Sequence, residues 1–277
     1  MDVIHTVSGL RERLRGESSV AFVPTMGNLH AGHLSLVELA KANGKCVVAS
    51  IFVNRLQFEP GGDFDRYPRT LERDCEMLRE AGCHVVFAPD ERELYPEPQE
   101  IRLTAPKAAD QLCGPYRPGH FEGVLTVVCK LFDIVCPQVA VFGSKDFQQL
   151  FLIRAMVRQL NFGIRIIAGD TVREADGLAM SSRNGYLNAV ERKTAVGLYT
   201  NLKRIKDAIE GGSREYDALR RDAIDALDAA GWRVDYVELR DAGRLEAPKP
   251  EDTNLRVIGA AWLGKTRLID NLEINGL

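Results

Sequence analysis

The chain has 277 residues, a formal net charge of −3 at pH 7 and 45% hydrophobic residues. This length provides a core for one large domain or two unequal domains. The nearly balanced charge does not favour nucleic acid or an anionic membrane as the main partner, because both select a concentrated basic face. A small-molecule ligand is therefore the expected partner.

Apolar, β-branched runs alternate with helical patterns through the first part of the chain. These runs are SVAFV, KCVVASIFV, HVVFAP, QVAVFG and IRIIAGDT. This alternation is typical of a parallel sheet with crossover helices. We therefore predict an α/β domain over residues 1–171.

One helix of this domain is predicted from Leu71, Cys75 and Leu78, which share a face when the spacing is helical. Gly82 then closes the helix, as glycine commonly does at a helix C-terminus. A second apolar helix is predicted to end before Pro137, because proline cannot continue a helix.

The sequence pattern changes in the last part of the chain. Asn188 and Glu191 are spaced as in a capping box, and an apolar stripe of helical period follows. The segments RVDYVELRDAG, LRVIGAAWLG and TRLIDNLEI then read as strands without helices between them, which favours antiparallel pairing. We expect a smaller α+β domain over residues 172–277.

The six cysteines form no C-x-x-C pair, and several lie in apolar runs, which favours reduced core thiols. The N-terminus lacks the pattern of a secretory signal, and no apolar run reaches the roughly 18 residues of a membrane span. The expected location is therefore the cytoplasm, with no membrane partner.

The stretch PTMGNLHAGHL separates the run SVAFV from a helical pattern, so it falls at the carboxyl edge of the predicted sheet. Open α/β sheets bind ligands at this edge. Gly27 and Gly32 allow close backbone approach, the helix N-terminus favours an anion, and His30 and His33 could face the same phosphate. The alternative is that both histidines are ordinary helix-start residues.

Two other kinds of site fit this stretch poorly. The Walker pattern G-x-x-x-x-G-K-[ST] does not occur, so the stretch is not a P-loop. The H-x-x-H spacing lacks an evident third ligand, so it does not predict zinc. A nucleoside triphosphate suits the stretch better.

Two later stretches carry further groups that suit phosphate. VFGSKDFQQL places Lys145 at the end of a predicted strand, although a solvated loop lysine is the alternative. DGLAMSSRNGYL supplies the hydroxyls of Ser181 and Ser182 and the guanidinium of Arg183. A polar turn between domains is the alternative interpretation of that stretch.

The sequence resembles the pantothenate synthetase family, whose members join pantoate to β-alanine within the wider nucleotidylyl transferase group. The matching motifs, in order, are PTMGNLHAGH, SIFVNRLQFEP, RYPRT, RPGHFEGVLTVV, VFGSKDFQQL and VREADGLAMSSRNGYL, with a weaker match at AAWLGKTRLIDN. The resemblance implies a Rossmann-like first domain, a smaller C-terminal domain that closes over the site, and a homodimer. It also implies ATP, pantoate and β-alanine as substrates.

The resemblance further implies roles for individual residues. The residues expected to bind ATP are Met26, Gly27, Asn28, Leu29, His30, Ala31, Gly32, His33, Gly143, Ser144, Lys145, Asp146, Val172, Met180, Ser181, Ser182 and Arg183. His33 is expected to be the acid that assists the leaving group, with His30 and Lys145 as further catalytic residues. Those expected to bind substrate are Gln57, Gln149, Asn54 and Arg117.

The implied chemistry has two steps, because a carboxylate is a poor acyl donor. Pantoate attacks the α-phosphate of ATP to give pantoyl adenylate and pyrophosphate, and the amine of β-alanine then displaces AMP. Mg²⁺ is expected to bridge the phosphates. Asp74, Asp146 and Asp176 are available carboxylates, but none is assigned as a metal ligand.

Two other functions remain open: a nucleotidyltransferase that stops at an adenylated product, and a nucleotide-binding protein without catalysis. The paired glutamines Gln57 and Gln149 favour ligation over the first. The sequence also departs from the family pattern at two positions. Ser144 stands where a glutamate is usual, and Arg55 stands where a proline is usual. Neither lies in the H-x-G-H or S-S-R motif, so we expect an active enzyme.

Overall fold

The computed structural model describes residues 1–59 and 61–275. The chain divides into two compact units. The first comprises Met1–Ser144 and Gln149–Asp170, and the second comprises Lys145–Gln148 and Thr171–Leu277. Within the described residues, none of the helices combines the length and apolar character needed to cross a bilayer.

The first unit is built on a six-stranded sheet in which all neighbouring strands are parallel. Its strands are β1 (Asp2–Ile4), β2 (Val20–Thr25), β3 (Cys46–Ile51), β4 (Val85–Phe87), β5 (Val139–Gly143) and β6 (Arg165–Gly169). They lie in the order β1-β4-β3-β2-β5-β6. The predicted apolar runs form β2 to β6. The sequence did not mark β1, because its three residues DVI form no apolar run and are mostly exposed.

Helices connect these strands. They are α1 (Val7–Leu14), α2 (Ala31–Lys41), α3 (Leu71–Glu80), α4 (Glu91–Leu94), α5 (His120–Val135) and α6 (Phe147–Gln159). One core cluster joins apolar residues of α2 and α3 to the inner strands, with Val37, Val47 and Leu78 fully buried. Burial of these side chains between sheet and helices is the main stabilising contribution.

The helix predicted around Leu78 is confirmed as α3, and Gly82 follows it with a φ of +79°. Leu71, at the first position of the helix, is 38% exposed, so the face that it was predicted to share with Cys75 and Leu78 is not covered along its full length. Cys75 and Leu78 are buried as expected, and the third buried side chain of this helix is the carboxylate of Asp74.

The cysteines follow the prediction in part. Cys46, Cys75 and Cys83 are buried free thiols, whereas Cys136 is exposed after the end of α5. Cys136 is therefore not a core thiol. Its backbone has a φ of +49° as the C-cap of α5, a left-handed conformation that commonly ends a helix.

The second unit contains a three-stranded antiparallel sheet, as predicted, in the order β7-β8-β9. Its elements are α7 (Ala189–Thr194), α8 (Val196–Glu210), α9 (Tyr216–Ala229), β7 (Trp232–Asp241), β8 (Leu255–Leu263) and β9 (Thr266–Ile274). The capping box of Asn188 and Glu191 is present. It starts the short helix α7, whereas the apolar stripe belongs to α8, whose Leu202 and Ile205 lie in the core of this unit.

Candidate active site

The strand order of the first unit reverses between β2 and β5. The chain continues from β2 to β3 and β4 on one side, and from β5 to β6 on the other. Such a switch point, at the carboxyl ends of the strands, is where open α/β sheets bind ligands. β2 leads directly into the PTMGNLHAGH stretch, and β5 leads into the turn Ser144–Asp146. Two of the predicted ATP-binding stretches therefore begin at neighbouring strand ends.

The turn between β2 and α2 requires a special backbone. Gly27 has a φ of +78° and Asn28 has a φ of +51°, both in the left-handed region that favours glycine and asparagine. A Cβ atom on Gly27 would lie 2.9 Å from Asp74 Oδ2 and 3.1 Å from Ile51 Cγ2. Both conformation and space therefore require glycine at position 27.

Asp74 of α3 anchors this turn. Its side chain accepts hydrogen bonds from the backbone N–H of Asn28 and of Leu29, each at 2.8 Å, and from Thr70 Oγ1 at 3.0 Å. The residue is only 1% exposed. Bonds from backbone N–H groups to a carboxylate are among the stronger hydrogen bonds in proteins. Asp74 therefore holds the turn in place, a role that the sequence did not indicate.

The two histidines cap α2. The Gly32 N–H donates to His30 Nδ1 at 3.2 Å, and the His30 N–H donates to His33 Nδ1 at 3.3 Å, which makes a reciprocal capping box. The ring centroids lie 4.1 Å apart. Both residues are thus helix-start residues, as the simpler interpretation of the sequence held.

This capping role is compatible with a role in ligand binding. Because Nδ1 of each ring accepts a hydrogen bond, the neutral imidazole carries its proton on Nε2. Each ring therefore has an N–H donor on its other edge, at a helix N-terminus where the backbone favours negative charge. The remaining predicted members of this stretch, Met26, Ala31 and Gly32, lie in the turn and the first turn of α2.

A second polar cluster surrounds the 3₁₀ turn Arg55–Gln57 that follows β3. Asn54 is 1% exposed, and its Nδ2 donates to Gln57 Oε1 at 3.0 Å and to the Gly123 carbonyl at 3.1 Å. Its Oδ1 accepts from the Tyr95 hydroxyl at 2.9 Å. Burial raises the pKa of Tyr95 well above its ordinary value, so this hydroxyl stays a donor.

Asn54 therefore supports Gln57. Because Gln57 Oε1 accepts from Asn54, the amide nitrogen of Gln57 is the end that can donate to a ligand. The expectation that Asn54 itself contacts pantoate stays a prediction. Tyr95 was not a candidate from the sequence, since it lies in the segment ELYPEP without a chemical pattern.

Arg117 joins the same cluster through His120. Arg117 Nη1 lies 3.0 Å from His120 Nε2, and His120 Nδ1 lies 2.9 Å from the Gln57 carbonyl oxygen. Since arginine can only donate, the neutral His120 ring carries its proton on Nδ1 and donates it to Gln57. Sequence reasoning missed His120, although it belongs to the motif RPGHFEGVLTVV.

Close backbone packing also shapes this cluster. A Cβ atom at Gly123 would lie 2.2 Å from the Leu56 carbonyl oxygen, so α5 approaches the 3₁₀ turn as closely as backbone allows.

The other predicted substrate residue, Gln149, lies half-buried on α6 and follows the buried Gln148 in the sequence. Its contact with substrate stays a prediction.

Of the other predicted ATP-binding residues, Gly143 and Ser144 end the first segment of the first unit, and the rest belong to the second unit. Lys145 and Asp146 lie in the turn Ser144–Asp146, and the Lys145 carbonyl accepts from Asn271 Nδ2 at 2.8 Å. The Met180 N–H donates to the Val172 carbonyl at 3.0 Å.

Residues 181–183 follow directly. Ser181 caps the 3₁₀ turn Ser182–Tyr186, because its Oγ accepts from the Arg183 N–H at 3.2 Å. The contacts of these residues with ATP stay predictions.

The candidate carboxylates for a metal have other structural roles. Asp74 anchors the turn after β2, and Asp176 pairs with Arg192 at 2.6 Å, which holds the pKa of Asp176 below its usual value. Asp146 is exposed. Among residues 1–59 and 61–275, no group of three or more His, Cys, Asp or Glu side chains is placed to hold a metal ion.

The departure at Arg55 has a local explanation. Its Nε lies 2.8 Å from Glu91 Oε1, and its guanidinium carbon lies 3.9 Å from the centre of the Phe64 ring. Both partners of the ion pair are about half exposed, so the pair contributes little to stability. Arg55 lies at the first position of the 3₁₀ turn and leaves the bonds of Asn54 and Gln57 intact.

Comparison with known proteins identifies the family. The model of pantoate-β-alanine ligases matches residues 2–273. The pantothenate synthetase of Thiobacillus denitrificans is 61% identical over 275 residues, which covers 99% of this chain and 97% of that protein.

Solved structures agree. The pantothenate synthetase of Thermus thermophilus superposes with a TM-score of 0.95 at 46% identity, with both chains fully covered. The pantoate-β-alanine ligase of Francisella tularensis, crystallised in complex with β-γ ATP and β-alanine, superposes with a TM-score of 0.83 at 31% identity over 98% of this chain and 97% of that one. The α/β architecture and the resemblance predicted from the sequence are confirmed. With a match along almost its entire length, the chain belongs to the pantoate-β-alanine ligase family.

Proposed function

We propose that this chain joins pantoate to β-alanine through pantoyl adenylate, with release of pyrophosphate and then AMP. Family membership supports the overall reaction, and the Francisella tularensis relative was crystallised with an ATP compound and β-alanine. The observation that carries the proposal within this chain is the pair of capping histidines at the switch point of the sheet. Their Nε2–H groups are donors that suit a polyphosphate.

The charge that develops in both steps explains the proposed roles of the ATP-binding residues. Attack on the α-phosphate builds negative charge on the phosphates, and preorganised donors aimed at such charge are worth roughly 10² to 10³ in rate each. We assign His33 as the acid that assists departure of pyrophosphate, with His30 and Lys145 as further donors. The remaining residues proposed to bind ATP are Met26, Gly27, Asn28, Leu29, Ala31, Gly32, Gly143, Ser144, Asp146, Val172, Met180, Ser181, Ser182 and Arg183.

Gln57 is proposed to donate its amide N–H to pantoate, whose carboxylate and hydroxyls accept hydrogen bonds. The bond from Asn54 to Gln57 Oε1 supports this orientation of the amide. Gln149 and Arg117 are the other proposed contacts of pantoate. In this scheme His120 holds both the Arg117 side chain and the Gln57 backbone.

Mg²⁺ is proposed to reach the site with ATP. This ion keeps several waters and commonly binds through substrate phosphates with one or two carboxylates. The roles of Asp74 and Asp176 in the fold leave Asp146 as the candidate carboxylate that fits such a partial set. Bound Mg²⁺ would neutralise phosphate charge, while the histidines and Lys145 would donate hydrogen bonds to the phosphate oxygens.

We also propose a cytoplasmic homodimer. The buried free thiols of Cys46, Cys75 and Cys83 suit a reducing compartment. The dimer rests on the family resemblance, and light scattering of the purified protein tests it: a mass near 31 kDa would contradict it, since one chain is 30.8 kDa.

One experiment tests the reaction itself. Purified protein is incubated with ATP, labelled pyrophosphate and pantoate, first without β-alanine and then with it. Pantoate-dependent label exchange into ATP indicates adenylation, and AMP release on addition of β-alanine indicates ligation. Exchange without any β-alanine-dependent AMP release would instead identify a nucleotidyltransferase that stops at the adenylate.

A further inference from the structure

Strand β9 of the second unit carries two adjacent buried polar residues that the proposed reaction does not use. Asp270 and Asn271, in the segment TRLIDN, are each 3% exposed. Burial of a carboxylate and an amide is costly unless partners satisfy them. The partners of these two side chains therefore show what the pair does.

Asp270 binds Arg173 in a bidentate ion pair. Arg173 Nη1 lies 2.7 Å from Asp270 Oδ2, and Arg173 Nη2 lies 2.9 Å from Asp270 Oδ1. The same guanidinium donates to the Gly177 carbonyl at 3.0 Å and lies 4.3 Å from the centre of the Tyr199 ring. Paired oxygens and a planar fork fix both position and orientation.

Arg173 in turn belongs to a small hairpin that leads into the S-S-R motif. The Glu174 N–H donates to the Leu178 carbonyl at 2.8 Å, and Arg173 and Ala179 form a bridge. The hairpin closes at residue 180, and Ser181 follows at once. Fixing Arg173 therefore fixes the base from which residues 181–183 project.

Asn271 holds the other nucleotide-site segment of this unit. Its Nδ2 donates to the Lys145 carbonyl at 2.8 Å, and its Oδ1 accepts from Arg256 Nη1 at 2.6 Å. Arg256 also stacks on Phe147, two residues after Lys145, at 4.3 Å from the ring centre. The amide is held at both ends, so it restrains the backbone of Lys145.

We propose that Asp270 and Asn271 are positioning residues that set the geometry of two ATP-binding segments, residues 181–183 and Lys145, from one strand. This inference rests on the proposed function, because both segments acquire their role only if they contact ATP. The last two residues of the segment AAWLGKTRLIDN would then position the ATP-binding residues.

The decisive variant is Asn271→Asp, which is nearly isosteric. It keeps an acceptor for Arg256 but loses the N–H that donates to the Lys145 carbonyl. We expect the affinity for ATP, measured by calorimetry, to fall by about tenfold, and the kcat of pantoate-dependent exchange to fall by about ten- to a hundredfold. Asp270→Asn, which weakens the grip on Arg173, is expected to change both quantities in the same direction.

Asn201→Asp is the matched control, because it makes the same substitution at a residue outside the proposed site. Asn201 is 8% exposed on α8, and its Nδ2 donates to the Gly197 carbonyl at 2.9 Å, a bond of the same kind as that of Asn271. We expect this variant to lower the Tm while ATP affinity and exchange stay within about twofold of the parent. Asp270→Asn is informative only if it folds, whereas Asn271→Asp decides the question alone.

The outcomes separate the two hypotheses. If Asn271→Asp lowers the Tm as the control does but leaves ATP affinity unchanged, Asn271 is merely structural and the inference fails. If the parent binds ATP but shows no pantoate-dependent exchange, the proposed reaction fails, and the ATP affinities of the variants still decide the positioning role. If the parent binds no ATP, both are overturned.

Discussion

At the residue scale, one imidazole can serve the fold and the ligand at once. His30 and His33 use Nδ1 to cap α2, which places the proton of each neutral ring on Nε2. The fold therefore selects the tautomer whose Nε2–H suits the proposed phosphate site. The proposed second role would account for two histidines around a glycine, where serine or aspartate would cap equally well.

Substitution of His33 separates the two roles. His33→Asn keeps a side-chain oxygen that can accept the His30 N–H, whereas His33→Ala removes the cap as well. We expect both variants to lower the rate of pantoate-dependent pyrophosphate exchange into ATP by about 10² to 10³. The alanine variant alone should also lose about 0.5–2 kcal/mol in the free energy of unfolding. Exchange assays and urea denaturation check this; near-normal exchange in His33→Asn would remove His33 from the mechanism.

Asp74 should matter for both stability and rate. Asp74→Asn replaces one carboxylate oxygen with an amide group that cannot accept the N–H of Asn28 or Leu29. We expect a loss of about 1–3 kcal/mol in the free energy of unfolding, because a buried donor is left unsatisfied. Exchange should also slow, since the turn that carries His30 loosens.

Glu72→Gln serves as its control, because Glu72 is exposed on the same helix. Denaturation and exchange should both stay near the parent in this variant. An Asp74→Asn protein with parental stability would show that the two backbone bonds contribute nothing to the turn.

Ser144 tests whether the usual glutamate is required. It begins the turn that contains Lys145 and is half-buried. An ion pair at such a partly exposed place is worth about 0–1 kcal/mol, so Ser144→Glu should change the exchange rate by no more than about tenfold. Side-by-side assays of both half-reactions check this. An inactive parent rescued by the glutamate would favour a non-catalytic role for the natural chain.

At the element scale, the sequence predicted what periodicity and end signals determine. Apolar runs located β2 to β6, and the capping pair of Asn188 and Glu191 located the start of α7. Periodicity could not show which side chains at a helix start are covered: Leu71 is exposed, whereas the carboxylate of Asp74 is buried. β1 was missed because its place beside β4 depends on distant pairing, not on its own composition.

The candidate site likewise contains residues that the sequence predicted and residues that only the fold revealed. Motif spacing predicted the stretches that follow β2 and β5, because strand ends mark them. The supports came only from the fold: Tyr95 reaches Asn54 from 41 positions away, and Asp74 reaches Asn28 from 46 positions away. No local pattern in a sequence encodes such contacts.

The turn Arg55–Gln57 offers a test at this scale. Proline is favoured at the first position of a helix, where the lost N–H and the fixed φ cost little. We expect Arg55→Pro to keep exchange within about threefold of the parent and to change stability by about 1 kcal/mol or less, since the lost ion pair with Glu91 is exposed. A large increase in the KM for pantoate would show that Arg55 itself orients Gln57.

At the scale of the whole molecule, the two units have separate cores with separate natural probes. The cluster around Val47 lies in the first unit and the cluster around Leu202 lies in the second. All six cysteines belong to the first unit, and both tryptophans, Trp232 and Trp262, belong to the second. Thiol reactivity and tryptophan fluorescence therefore report on different parts of one chain.

Leu202→Ala and Val47→Ala should consequently affect different probes. Each side chain is fully buried. Core substitutions that remove little side-chain volume cost about 0.5–1.5 kcal/mol in the free energy of unfolding, and leucine-to-alanine substitutions cost about 2–5 kcal/mol. Leu202→Ala should shift the fluorescence transition in urea more than the thiol transition. Val47→Ala should do the reverse.

Cys83 makes the thiol measurement sensitive to opening of the first core. Burial raises the pKa of its thiol to about 11, so at pH 8 only roughly one thiol in a thousand is ionised, and unfolding restores the ordinary pKa of about 8.5. Alkylation of Cys83 should therefore be slow in the native protein and accelerate steeply through the transition. The exposed Cys136 should react from the start and supply the internal control. If both probes shifted equally in both variants, the two cores would unfold as one cooperative unit and the assignment of separate transitions would be wrong.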